Sequence, residues 1–488
     1  MSSKSESSLR AQVLTLSRAN AFDYLIQLAL PVLLVRLLNP IEIGQYRLFW
    51  LVASAAIALA PLYMPRSLFF FLPKSDSVNK VKYVSNTLFY LAVVGLLVAV
   101  LVSPLDPFLP TNIQVLSEQE WLLSGFLFFW VSGSLIEALP NAEQHVRWQA
   151  NAIVILSLTR AILIISAAWW TRDITWVFSA LLLFAILKLL LLLFYVQRNY
   201  GISMLKVDLR LLKKQFLYAV PFGASTALYL LRGQADQWVA AHLFTPEKFA
   251  AFSMAAVIGP LVNLIRQSVV NALLPSMTKR HAEGDMQGAL ALNSKGNLVS
   301  AVVIYPILAF LFVFAEPVVN LVYTSTYLDA AQVMRVYILG LIAVSIELGS
   351  VMLVFSQGAF VMRLDFLLLI ASAAGSYMGG ILYGLPGAAL GSVLAVYVGL
   401  FGKIYRIRSE TGISMNYIQD WKGVGSSLLA ALLAGSVAWI ISALPAVSGG
   451  PWLQLSLGSV ALFATYILGL LLLGQRNCVQ ALVMRRNV

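Results

Sequence analysis

Runs of about twenty apolar residues follow one another along this chain almost without pause, and only short polar connections separate them. A helix of that length spans the ~30 Å hydrocarbon core of a bilayer, and a backbone in lipid has to satisfy its own hydrogen bonds. Fourteen such runs are counted, the first over about residues 15–38 and the last over about 452–474. The chain has 488 residues, is 60% hydrophobic and 11% charged, and its longest connections are about twenty residues. No folded soluble domain fits between the runs. The expected fold is all-α, a polytopic membrane protein of about 14 transmembrane helices.

Two segments 206 positions apart read as one element. LLNPIEIGQY (Leu37–Tyr46) and LFTPEKFAAF (Leu243–Phe252) each lie between two apolar runs. A duplicated turn implies a duplicated bundle. Six runs precede the polar segment Gln197–Lys214, and six follow it before the basic stretch Lys403–Lys422. Six is even, so both copies enter the membrane with the same orientation, and the repeat axis should lie along the membrane normal with a working site at the seam. The expected organisation is an N-terminal six-helix lobe over 1–198, a linker over 199–214 and a C-terminal lobe over 215–406. Residues 407–488 then hold a polar segment, two extra helices and a basic tail.

The formal net charge of +12 raises the question of nucleic acid, but the charges gather on alternate connections. Placing the N-terminus inside puts most of the lysines and arginines, among them Lys80, Lys82, Lys213, Lys214, Lys403 and Arg406, on the cytoplasmic side. This pattern is a topology signal, with both termini cytoplasmic, and it excludes nucleic acid as a partner. Cys478 is the single cysteine, so neither an internal disulfide nor a cysteine metal site can form. The first run lacks a small-residue cleavage pattern and reads as a retained span.

A charge at mid-bilayer costs at least ~2.5–3.5 kcal/mol on insertion scales, so each deep charge needs a partner or a wet cavity. Arg232 and Asp236 lie one turn apart on one helix face. They are either a local salt bridge or the lining of a polar cavity with Arg232 open to an anion. Arg66 and Arg266 sit at similar depths in the second run of each half, where paired guanidiniums suit phosphate or diphosphate oxygens. Snorkelling to the interface is the competing reading. Arg160 is too deep to snorkel and is either a ligand-facing cation or the partner of an acid such as Glu137. Lys188 reads as a snorkelling anchor. Asp23, Asp236 and Glu347 are candidates for binding a coupling H⁺ or Na⁺, or for balancing neighbouring arginines. Prolines inside runs one, two, seven and eight mark those helices as bent or bendable.

No phosphate loop, zinc helix or nucleophile elbow occurs in the sequence, so no metal, cofactor or ATP-driven chemistry is expected. VRLLNPIEIGQYRLF (Val35–Phe49) and AEPVVNLVYTSTYLDAAQVMRVYIL (Ala315–Leu339) resemble the polysaccharide-biosynthesis flippases of the multidrug/oligosaccharidyl-lipid/polysaccharide (MOP) exporter superfamily, the Wzx-like transporters. The resemblance implies two six-helix lobes facing a central cavity lined by spans one, two, seven and eight. It also implies alternating access of a polyprenyl-diphosphate-linked oligosaccharide from the cytoplasmic to the periplasmic leaflet of the bacterial inner membrane. On that footing Asp23, Arg66, Arg232, Asp236 and Arg266 are the cavity candidates, and Arg160 of span five joins them on its depth and not on the resemblance. Arg66, Arg160, Arg232 and Arg266 are then substrate-binding candidates, while Asp23, Asp236 and Glu347 serve coupling or charge balance. Expected partners are the lipid-linked substrate, membrane lipids, and a polysaccharide polymerase with other glycan-assembly proteins. Two rivals stay open: a cation-coupled drug or metabolite exporter of the same superfamily, and a membrane glycan polymerase or ligase. The extra helix pair resembles that of fourteen-span lipid II flippases, in which it forms a groove for the lipid tail.

Overall fold

The duplicated turn is a helix start in both copies. The structure, a computed structural model, describes residues 3–103, 119–201, 206–444 and 451–475. In it Pro40 opens α2 (Pro40–Leu59) behind Asn39, whose side chain caps the Glu42 amide while the Glu42 carboxylate accepts the Asn39 amide. This reciprocal capping box suits Asn-Pro-x-Glu, because proline lacks the N–H that a first helical residue would leave unpaired. Pro246 likewise opens α10 (Pro246–Ala255), with the Phe249 amide bonded to the Thr245 carbonyl. The two copies also touch. A Cβ on Gly44 would fall 2.2 Å from the Pro246 carbonyl oxygen, so only glycine permits this approach.

The helices run in the order α1 (Ser3–Leu34), α2, α3 (Met64–Phe71), α4 (Ser77–Leu101), α5 (Glu120–Ser132), α6 (Leu139–Ala142), α7 (Val146–Thr171), α8 (Ile174–Tyr200), α9 (Leu209–Leu243) and α10. They continue as α11 (Ile258–Ala282), α12 (Met286–Val313), α13 (Ala315–Tyr323), α14 (Asp329–Val344), α15 (Gly349–Val354), α16 (Gly358–Thr411), α17 (Met415–Ile418), α18 (Trp421–Ser442) and α19 (Pro451–Leu472). No strand occurs among the described residues.

Among the described residues ten stretches are long and apolar enough to cross a membrane, and one doubled helix and three further helices bring them to the fourteen expected crossings. The 54-residue α16 would be roughly 80 Å long if straight, far more than a bilayer core. It turns back at Gly384, whose φ of 65° and ψ of −147° break the helix just before Pro386. That one element therefore supplies two crossings. The other three are α1, α9 and α14; the first two carry internal charges and α14 has only 16 residues.

Two compact units emerge, and α9 passes from one into the other. The first holds residues 1–231 and 244–250, the second 232–243 and 251–488. In the first unit α1 packs on α7, α5 on α4 and α8, and α7 on α8. Its core gathers Leu68, Val84, Leu91, Val131, Leu135, Leu192 and Val196. In the second unit α12 packs on α11 and α18, α14 on α16, and α18 on α19. Leu290, Met352, Ile404, Ile407 and Ile418 lie in a core cluster there.

Helix breaks recur in the same runs of the two halves. The second run is interrupted between α2 and α3, where Leu62 and Tyr63 take positive φ, and its counterpart between α10 and α11. The fourth run passes through a 3₁₀ turn at Gly133–Glu137, and its counterpart breaks between Val344 and Gly349. Each fourth-run break carries a glutamate, Glu137 or Glu347. By contrast α1 and α9 remain single helices through Pro31 and Pro221.

Candidate functional site: charges held inside the helical units

In the first unit α1 and α7 bring Asp23 to Arg160. The Arg160 Nη2 lies 2.9 Å from Asp23 Oδ1, and the same oxygen accepts the Ser157 hydroxyl at 2.6 Å. Gln27, one turn along α1, donates to the other carboxylate oxygen at 2.8 Å. Arg160 is buried, and its guanidinium sits 6.0 Å from the Phe184 ring centroid. A charged pair in lipid survives only when the carboxylate's remaining lone pairs are also met, and Ser157 and Gln27 meet them.

Glu137 is therefore not the partner of Arg160. It pairs with Lys188 of α8 at 2.5 Å, and the lysine ammonium rests 4.0 Å from the Trp130 ring centroid. Lys188 is 2% exposed, which corrects its reading as a snorkelling anchor. The break at Gly133–Glu137 turns the glutamate toward α8, a consequence that hydropathy alone does not reveal. Arg66 lies exposed on α3, its guanidinium 5.7 Å from the Tyr63 ring centroid.

In the second unit Arg232 and Asp236 share a helix face but not a bond. Arg232 Nη1 lies 3.4 Å from Asp365 Oδ1, on the first half of α16. Asp236 is buried and accepts the Tyr337 hydroxyl at 2.8 Å and the Ser392 hydroxyl at 2.6 Å. The local salt bridge is thus absent, because each member has a nearer partner on a neighbouring helix. Arg266 Nη2 donates to Asn263 Oδ1 at 3.0 Å, and its Nη1 lies 3.7 Å from Glu347 Oε1.

Glu347 is held by the broken helix around it. The Ser350 amide and hydroxyl donate to its carboxylate, at 3.0 and 2.5 Å. Its backbone carbonyl accepts from Asn293 and Asn297, and Asn297 Oδ1 accepts its amide. Two buried asparagines of α12 thereby replace the hydrogen bonds lost at the break, as non-helical backbone inside a membrane requires. A small cavity, about 10 Å³, adjoins Glu347, Arg266, Asn293, Asn297 and Ser300 on one side and Val269, Leu273 and Met277 on the other. Among the described residues no three His, Cys, Asp or Glu side chains form a metal-holding group. Cys478 and the basic tail beyond 475 lie outside the described residues.

A profile of polysaccharide biosynthesis proteins matches residues 9–281, more than half of the chain. The chain belongs to that family. Solved structures extend the likeness to the whole fold. A lipid II flippase, MurJ, in an inward-closed conformation is similar over 94% of this chain and 98% of its own, with a TM-score of 0.67 and 14% identity. A multidrug resistance MATE family transporter of the MOP superfamily, inward-facing, covers 80% of this chain and 96% of its own, at a TM-score of 0.60 and 16% identity. A MOP superfamily transporter from Pyrococcus furiosus covers 82% and 96%, at a TM-score of 0.54 and 15% identity. No curated protein matches the sequence. This polysaccharide biosynthesis family member is a multi-pass membrane protein with the fold of MOP exporters.

Several partners within the family member's charged sites escape a sequence reading. Asp365, Tyr337 and Ser392 come from helices far along the chain from the residues they hold. One signal for Asp365 was available: it lies 205 positions after Arg160, close to the offset of the duplicated turn. Lys403, which reads as a topology charge, stands half-buried on α16 beside the Arg232 pair.

Proposed function

We propose that the protein is a flippase that moves a polyprenyl-diphosphate-linked oligosaccharide from the cytoplasmic to the periplasmic leaflet by alternating access, for surface or exopolysaccharide assembly. The observation that carries this reading is the family match joined to a fold likeness covering 94% of the chain. The second-unit cluster adds chemical support, since Arg232 and Arg266 are guanidiniums able to grip phosphate oxygens in a low-dielectric site. In this reading Arg66, Arg160, Arg232 and Arg266 serve the substrate, and Asp23, Asp236 and Glu347 serve coupling by H⁺ or Na⁺ or charge balance. The protein resides in a bacterial inner membrane with both termini cytoplasmic and works beside a glycan polymerase.

Likeness to a multidrug transporter supports a second reading, export of a drug or metabolite by cation antiport. Cells lacking the gene separate the two. Loss of surface glycan with lipid-linked oligosaccharide accumulating at the inner leaflet supports the flippase. Unchanged glycan with increased sensitivity to cationic dyes would refute it.

A further inference from the structure

The charges gathered around Lys403 do not balance. The carboxylates Asp365 and Glu347 each have an arginine, and Glu347 is held further by Ser350. Asp236, the third, is met by two hydroxyls and is not among the charges that act on Lys403. Lys403 stands near these groups with nothing left to take its charge. Its position is fixed by α16, on which Gly399 lies one turn earlier. A Cβ on Gly399 would fall 3.7 Å from Arg232 Nη1, so that helix face passes directly beside the Arg232 guanidinium. The charges acting on the Lys403 ammonium are those of Arg232, Asp365, Glu347 and Arg266. It makes no hydrogen bond, and no ion pair within 4.0 Å, among the described residues.

Lys403 and the charges that act on it are three cations and two carboxylates, which leaves one positive charge in surplus around the lysine. Such a surplus draws an anion, because field lines are concentrated where water is scarce. Two planar guanidinium forks and one compact ammonium match a diphosphate, which offers two adjacent phosphate groups. Snorkelling of the lysine to the surface is the competing account, and it predicts no response to phosphate.

We propose that Lys403 is a phosphate-binding residue that acts with Arg232 and Arg266 on the diphosphate of the lipid-linked substrate. This rests on the substrate reading above. The test uses the purified full chain in detergent with farnesyl diphosphate as the probe, and with farnesol as the phosphate-free control. Wild type should bind the diphosphate and not the alcohol. K403Q should weaken binding about tenfold or more, while K403R stays within about threefold. Melting temperature without ligand controls for folding. Should K403Q fold poorly, amine acetylation of wild type read by mass spectrometry supplies the same answer. Farnesyl diphosphate should then protect Lys403 and leave the exposed Lys279 unprotected. Equal binding by wild type and K403Q, or no protection of Lys403 by bound diphosphate, would overturn this inference alone. Failure of wild type to bind the diphosphate would overturn the substrate reading and the inference with it.

Discussion

The guanidinium of Arg160 on α7 lies 2.9 Å from the carboxylate of Asp23 on α1, and the second half repeats this pair with its signs exchanged. There Arg232 stands on α9, the repeat counterpart of α1, and Asp365 on the first half of α16, the counterpart of α7. Either polarity brings opposite charges together across two helices.

Breaking the first tie should be costly. Asp23→Ala leaves Arg160 buried without its counter-charge, and removal of one member of such a pair costs about 3–5 kcal/mol. D23A should lower the melting temperature of the purified protein, and the exchanged double variant D23R/R160D should recover part of the loss. Full stability in D23A would mean that Arg160 finds another partner.

Lys188 should matter more than a surface anchor does. Removing it forfeits the Glu137 bond and the Trp130 ring contact, about 1–3 kcal/mol together. The Glu137 side chain is 61% exposed, against 29% for Asp23, so the pair is less enclosed and the penalty should fall below that of D23A. K188A should therefore lower the melting temperature by an intermediate amount, and K188M by less.

The glycine at the meeting of the two turns offers a steric test. Gly44→Val would drive two methyl groups into the Pro246 backbone, an overpacking that costs about 1–3 kcal/mol. The variant should melt earlier than Gly233→Val, where a Cβ meets nothing within 4 Å. Equal effects at both positions would point to helix propensity alone.

At the start of α9, Lys82 donates to Asp208 at 3.1 Å and holds its carboxyl below the usual carboxylate value, helped by backbone amides. A depressed folded value gives stability that is fully present above the ordinary carboxylate range and fades as pH falls through the lowered one. K82Q should shift the acid limb of the stability profile upward in pH. It should leave the profile above about pH 5 unchanged in shape, as a melting series across pH can check.

How far the sequence discloses all this depends on the distance over which each contact acts. Fourteen crossings are legible because apolar length is local, whereas apolar length does not mark the α2 start, which the capping box of Asn39 and Glu42 sets within the turn. The partners of the deep charges are not legible either. Arg232 has an acid four residues away, yet it bonds one 133 positions on, since helix neighbours in a bundle are set by packing. The breaks at Glu137 and Glu347 escape notice for a related reason. The asparagines that make the second one affordable, Asn293 and Asn297, sit on another helix.

In the proposed function the cationic cluster of the second unit serves a lipid-linked diphosphate. Reconstituted proteoliposomes loaded with polyprenyl-diphosphate oligosaccharide, probed by a lectin confined to one side, measure it most directly. Wild type should carry the glycan across, whereas R232A and R266A, inserted at normal abundance, should lose most of that transport. Wild-type rates in both variants would contradict the account.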